Sequence, residues 1–185
     1  MTQKIDELIE RIKELQEQLE TEFDEMRSGF TKEFIRQQKR FKTGLVRYLA
    51  TSRPQVILTA PIIYSCIVPF VLLDLFLTVY QVLCFPVYGI PKVRRKEYFV
   101  YDRGKLSYLN LIEKANCLYC SYGNGLMAYG HEIAARTEQY WCPIKHARRI
   151  KATHGRYSMF FPYGDAESYT KGLERLRKQF GDKER

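Results

Sequence analysis

Charge is almost missing from one long stretch of this 185-residue chain. From Gln55 to Phe85 the only formally charged residue is Asp74, and most of the other side chains are aliphatic or aromatic. A soluble helix of ordinary size does not need to be so apolar, whereas a segment that is buried in a bilayer does. The sequence therefore predicts a membrane anchor over residues 55–91.

Two other absences concern targeting and disulfides. The N-terminus lacks the basic segment and short apolar core of a cleavable secretory signal, so we expect the apolar stretch itself to direct insertion. The five cysteines are an odd number, and Cys66 and Cys84 lie inside the apolar stretch. This usage fits a reducing compartment better than a disulfide framework.

Proline and glycine are missing from the first 28 residues, so nothing there interrupts a helix. Apolar residues recur three and four apart, which is a heptad seam with stutters. They are Ile5, Leu8, Ile12, Leu15, Leu19, Phe23, Met26, Phe30 and Phe34. We expect residues 1–31 to form a coiled-coil helix, and residues 5–34 to join copies of the chain into a homo-oligomer. A helix folded back on its own chain is the alternative.

Positive charge surrounds the apolar stretch. The chain has a net charge of +9, and residues 32–54 hold seven Lys or Arg against one Glu, which predicts a basic juxtamembrane amphipathic helix. Beside an apolar segment, such charge favours anionic lipid headgroups over nucleic acid as the partner. The predicted headgroup contacts are Lys39, Arg40, Lys42, Arg47, Arg53, Lys92, Arg94, Arg95 and Lys96.

The length of the apolar stretch bears on its topology. A straight helix over residues 55–85 would be about 46 Å long, more than one hydrocarbon core needs and less than two full spans. Both flanks are basic, which favours placing both on the cytoplasmic side. We therefore expect a helical hairpin broken at Pro69, with the N- and C-terminal regions in the cytoplasm, and one kinked span as the alternative.

Polar residues form a stripe inside the apolar stretch. Asp74, Thr78 and Gln81 follow one another at i, i+4 and i+7, so they share a helix face that should contact protein rather than lipid. Asp74 is interpreted as an ion or proton site, as a partner in a hydrogen bond between subunits, or as a residue near water at the apex of the hairpin. The first interpretation leaves open an oligomeric channel or transporter around Asp74.

A small module with cysteine and histidine follows over residues 92–153. Residues 97–101 alternate like a short strand, which makes the module α+β within a chain that is otherwise mainly α. Cys117 and Cys120 precede a Gly-containing stretch that is able to turn tightly, as in a zinc knuckle. Cys142 and His146 stand one turn apart if Pro143 begins a new helix.

These four residues predict a structural Cys3His zinc site, with His131 as a reserve ligand. Iron, an iron–sulfur centre, a redox dithiol at Cys117 and Cys120, and thiols that only pack without a ligand are the alternatives. A four-ligand site leaves no open position for a substrate. We find no G-x-S-x-G, Walker or dinucleotide-binding signature in the sequence.

The chain ends in an aromatic linker and a helix over residues 154–185, capped by Asp165. We expect this helix to pack on the module, and an interaction tail is the alternative. Together the segments indicate a membrane-anchored, self-associating scaffold with a zinc module and an unknown protein partner. A membrane-bound redox or electron-transfer protein is the alternative function; enzymatic activity stays open, and a non-enzymatic role is favoured.

Overall fold

A computed structural model describes residues 2–28 and 32–180, and these are mainly helical, as the sequence predicted. The α-helices are α1 (Thr2–Ser28), α2 (Lys32–Gln38), α3 (Leu45–Thr51), α4 (Pro54–Ser65), α5 (Ile67–Tyr88), α6 (Leu111–Trp141) and α7 (Ala166–Lys178). Short 3-10 helices cover Lys39–Phe41, Arg95–Glu97, Asp102–Lys105 and Tyr157–Met159. The chain divides into two compact units, the first made of Met1–Thr51 and Lys105–Lys114, the second of Ser52–Gly104 and Ala115–Arg185.

In the first unit, α1 forms the long helix that the missing proline and glycine predicted. Its apolar seam is exposed from Ile12 onward, including Leu15, Leu19 and Phe23. Residues 29–31 lie outside the described residues, as do the side chains of Ile5 and Leu8. Oligomerisation through residues 5–34 therefore stays a prediction.

The single amphipathic helix expected over residues 32–54 is wrong. The helical structure is interrupted at residues 42–44 and again at residues 52–53. Gly44 disfavours helix by about 1 kcal/mol relative to alanine. Arg53 adopts an extended conformation (φ −63°, ψ 133°) because it precedes Pro54, whose ring disfavours helical geometry in the preceding residue.

Helices α4 and α5 follow each other with only Cys66 between them. Cys66 keeps right-handed helical angles (φ −62°, ψ −13°), so the chain does not turn back on itself there. The predicted hairpin at Pro69 is therefore wrong, and the kinked single helix is what forms. The interruption falls after Ser65 because Pro69 has no N–H to donate to the carbonyl four residues earlier.

The second unit is built on α5 and α6, which run in the same direction. Near one end of the pair, Phe70 packs on Tyr119 with ring centroids 6.1 Å apart. Tyr88 packs on Tyr140 at the other end, with ring centroids 5.2 Å apart. The buried apolar core lies around this pair and comprises Phe85, Ile90, Val93, Leu126, Tyr129, Ile133 and Phe180.

The cysteine and histidine module has a different structure from the predicted one. The described part of the chain has no strand at residues 97–101, which instead hold the end of a 3-10 helix and irregular backbone. Gly123 and Gly125 do not make a turn, since both lie within the continuous helix α6. Pro143 begins no helix; it is buried, and Ile144 forms an isolated bridge with Phe161.

Helix α7 begins as predicted. The Asp165 carboxylate accepts a hydrogen bond of 2.9 Å from the Ser168 backbone N–H, and this bond lowers the pKa of Asp165. The helix packs on the end of α6, because the Gln139 amide donates to the Leu176 carbonyl at 3.1 Å and Arg177 donates to the Tyr140 carbonyl at 3.0 Å. The packed arrangement, rather than a free tail, is therefore observed.

Candidate functional site on helix α5

The charge on α5 is neutralised within the same chain. Both guanidinium nitrogens at the end of Arg95 donate to the two carboxylate oxygens of Asp74, with Nη2 to Oδ2 at 2.6 Å. The Tyr122 hydroxyl, on α6, donates to Asp74 Oδ2 at 2.9 Å. This two-point contact is the strongest common geometry between arginine and a carboxylate. Asp74 therefore faces protein as expected, but its partners belong to its own chain.

Arg95 is fixed by an aromatic ring as well as by Asp74. Its guanidinium carbon lies 4.0 Å from the centroid of the Phe99 ring, within the range of a cation–π contact. Sequence reasoning assigned Arg95 to lipid headgroups, and the structure places its guanidinium on Asp74 instead. The other eight predicted headgroup cations are exposed.

Gln81 connects α5 with the chain that follows it. Its side-chain oxygen accepts a hydrogen bond of 3.0 Å from the Val93 backbone N–H, and its amide nitrogen donates to the Tyr129 hydroxyl. Thr78, the third residue of the stripe, lies between Asp74 and Gln81 along α5 and is half-buried. Asp74 and Gln81 thus use their polar atoms on neighbouring protein groups, which lowers the cost of placing them in an apolar medium.

The opposite side of α5 is apolar and uncovered. Its large exposed side chains are Val68, Val71, Leu72, Leu75, Phe76, Val79, Val82, Leu83 and Val87. Together Pro54–Tyr88 make the one helix among the described residues that is long and apolar enough to cross a membrane, judged by length and composition. We call the surface formed by these nine exposed side chains of α5 the apolar face of α5. A monomer in water rarely exposes so much contiguous apolar surface.

The four predicted zinc ligands do not come together. Cys120 lies within α6 and Cys142 directly after it, so the rise of the helix separates them by about 33 Å. His146 stacks on Tyr157 instead. Across residues 2–28 and 32–180, no three His, Cys, Asp or Glu side chains form a group that could hold a metal ion. The predicted Cys3His site is therefore wrong, and zinc, iron and iron–sulfur stay predictions without a ligand set.

A second polar cluster joins the end of α6 to the segment before α7. Glu132 accepts hydrogen bonds from Arg136 and Arg156, both at 2.9 Å. The His154 ring contacts the Glu138 carboxylate at 2.9 Å, and the predicted reserve ligand His131 lies with its ring 5.9 Å from that of His154. Each acid in this cluster has a basic partner, so the cluster ties the second unit together.

The sequence contained a signal for the α6 side of the site that local motif reading missed. Tyr122 and Tyr129, which contact Asp74 and Gln81, stand seven residues apart, as do Gly123 and Gly130. Such a repeat marks one face of a helix packed along another. No comparable signal identifies Arg95, because it lies in the irregular segment after α5 and not on a helix with a regular residue spacing.

Comparison with known proteins supplies no relative for this site: no protein family, no curated protein and no solved structure matches the chain.

Proposed function

We propose that this chain is a membrane-anchored scaffold that self-associates through α1. The observation that carries the proposal is the two-sided character of α5. One side presents the apolar face defined above, and the other side buries Asp74 and Gln81 against protein. A helix with this division of surface suits a lipid environment on one side and a folded protein on the other.

The hydrogen bonds on the covered side support the same function. Unpartnered polar groups are costly in hydrocarbon, and charged ones more so. Asp74 has Arg95 and Tyr122, while Gln81 has Val93 and Tyr129. The helix can therefore enter an apolar medium without a second subunit to cover these groups.

Exposed cations supply the electrostatic part of the attachment. They precede α4 and follow α5, and each contributes about 1 kcal/mol near an anionic leaflet. We assign to this role Lys39, Arg40, Lys42, Arg47, Arg53, Lys92, Arg94 and Lys96. Basic residues on both sides of the apolar segment favour the cytoplasmic leaflet for both terminal regions.

Self-association is the second part of the proposed function. Helix α1 exposes Ile12, Leu15, Leu19, Phe23 and Met26 at heptad-like spacing. A lone helix with such a stripe gains stability by pairing the stripe with that of another copy. Copies joined in this way would present several C-terminal units side by side on one membrane.

The test has a membrane arm and an association arm. Wild-type protein should stay with the membrane pellet through washes in high salt and alkaline carbonate, because the apolar face and not charge alone holds it. Release into the supernatant would contradict the membrane anchor.

For the association arm, L15D/L19D should abolish the cross-linked multimers that wild-type protein gives. The matched control Q16D/Q18D adds the same charge at neighbouring exposed positions of α1 and should retain them. Equal multimer yields from the two variants would contradict pairing through this seam.

A further inference from the structure

Two parallel helices joined in sequence need a connection that runs back along them. The contacts of Phe70 with Tyr119, of Tyr80 with Thr137 and of Tyr88 with Tyr140 show that α5 stays paired in parallel with α6 over its length. The chain leaves α5 after Tyr88 and enters α6 at Leu111. We call residues 89–110 the crossover.

The crossover passes close to the middle of the apolar segment. Its Val93 is bonded to Gln81 and its Arg95 to Asp74, so the chain moves back toward the start of α5 as it goes forward. Further along it, the Tyr98 carbonyl lies against Gly125 of α6. Asp74 stands 20 residues after Pro54 and 14 residues before Tyr88, which is near the middle of the helix.

The crossover is strongly charged and irregular. Between its first and last charged positions it holds six cations and two carboxylates, namely Lys92, Arg94, Arg95, Lys96, Glu97, Asp102, Arg103 and Lys105. The side chain of Arg94 is 71% exposed and that of Glu97 is 53% exposed. The backbone there forms only two short 3-10 helices and irregular chain.

A transmembrane orientation would place this segment in hydrocarbon. If α5 crossed the bilayer, the parallel α6 would cross beside it. The crossover would then have to run back through the hydrocarbon core to connect the end of α5 with the start of α6. Irregular backbone facing lipid does not occur at that depth, and exposed charges there are rare and costly. The helix is also too long for an upright span, at about 52 Å against a core of about 30 Å.

We propose that α4 and α5 lie in the plane of a single leaflet and do not cross the bilayer. The apolar face of α5 contacts the acyl chains of that leaflet, while α6 and the crossover cover the other side and face water. The partner is thus one lipid monolayer, with anionic headgroups beside the crossover cations. This inference rests on the proposed membrane anchor and specifies its geometry.

Depth measurements along α5 test the orientation. Val68, Leu75 and Val82 lie on the apolar face seven residues apart, so each step is about 10 Å along the helix. Spin labels would be placed singly at these positions, in protein whose five cysteines are replaced by serine, bound to vesicles of phosphatidylcholine and phosphatidylglycerol. A label at Arg94 serves as the water-facing reference.

An in-plane helix predicts the same shallow depth at all three positions and full aqueous access at Arg94. A depth that changes steadily by the helix rise between Val68 and Val82 would overturn the in-plane orientation while leaving the membrane anchor intact. Aqueous access at all three positions would overturn the membrane anchor itself.

Wild-type protein provides a second test that needs no substitution. Lys39 and Lys42 precede the apolar segment, whereas Lys151 and Lys171 follow it, and all four are exposed. A membrane-impermeant amine reagent added to sealed native vesicles of one orientation should modify all four lysines together, or none of them in the opposite orientation. Modification of one pair alone would show that the helix crosses the membrane and would overturn the inference.

Discussion

Arg95 and Asp74 show how one pair of residues can position a whole segment. The two-point contact between them ties the crossover to the middle of α5, and the guanidinium also packs over the Phe99 ring. The Asp74 side chain is 13% exposed and that of Arg95 is 44% exposed. The pair is therefore screened by solvent on the arginine side only.

Removing the arginine should leave a mostly buried carboxylate with a hydroxyl partner alone. We expect Arg95→Met to lower the free energy of unfolding by about 1–3 kcal/mol, less than for a fully buried pair because of solvent at the guanidinium. Replacing both members, in D74L/R95M, should recover most of this loss, since no charge is then left unpaired. Thermal or denaturant unfolding in detergent micelles measures both.

Arg94→Met is the control for this pair, because it removes the neighbouring cation, whose side chain is exposed. Equal stability of the R94M and R95M proteins would show that the contact with Asp74 contributes nothing to the fold.

At the scale of elements, α6 depends on its close approach to the crossover. A Cβ atom at Gly125 would lie 2.8 Å from the Tyr98 carbonyl oxygen, closer than real Cβ contacts come, and the obstacle is backbone. The same surface of α6 contacts α5 through Tyr122 and Tyr129. Helix α6 is therefore shaped by its neighbours more than by its own helix propensity.

Gly125→Ala should therefore destabilise the second unit. Overpacking of this kind costs about 1–3 kcal/mol, and the gain in helix propensity from glycine to alanine returns at most about 1 kcal/mol. At Gly104 an added Cβ would meet nothing within 4 Å, so Gly104→Ala is the matched control and should leave the unfolding transition in place. A Gly125→Ala protein as stable as the control would contradict the close approach.

The elements also show which parts of the sequence were predictable. Long periodic segments predicted α1 and α7 correctly, because the patterns that define these helices are local. Cys117, Cys120, Gly123 and Gly125 were misread as a metal-binding turn, because cysteines three apart and nearby glycines suit both a knuckle and a tightly packed helix. The seven-residue spacing of Tyr122 and Tyr129 favours the tightly packed helix over the knuckle.

The break between α4 and α5 lies one helical turn before Pro69, the position predicted for it from the sequence. A proline interrupts the hydrogen bond to the residue four positions before it, so Pro69 places the break at Ser65 and Cys66. The bond between Arg95 and Asp74 could not be predicted in this way, since it depends on the path of the loop between them.

At the scale of the whole molecule, the account depends on the apolar face of α5. Leu72 and Phe76 are 51% and 69% exposed there, without any covering element in the described chain. Val100 and Tyr163 are exposed to a matching extent, at 56% and 70%, but lie outside α4 and α5. These two pairs allow the membrane contribution of the face to be separated from the general effect of adding charge.

Flotation of the purified protein with vesicles of phosphatidylcholine and phosphatidylglycerol, in high salt that screens the attraction between the cations and the headgroups, is the most direct measurement. We expect wild-type protein and the V100E/Y163E variant to float with the vesicles, and L72E/F76E to remain at the bottom of the gradient, because glutamates in the acyl region are strongly disfavoured. Circular dichroism checks that both variants keep their helices. Flotation of L72E/F76E to the same extent as V100E/Y163E would contradict attachment through α5.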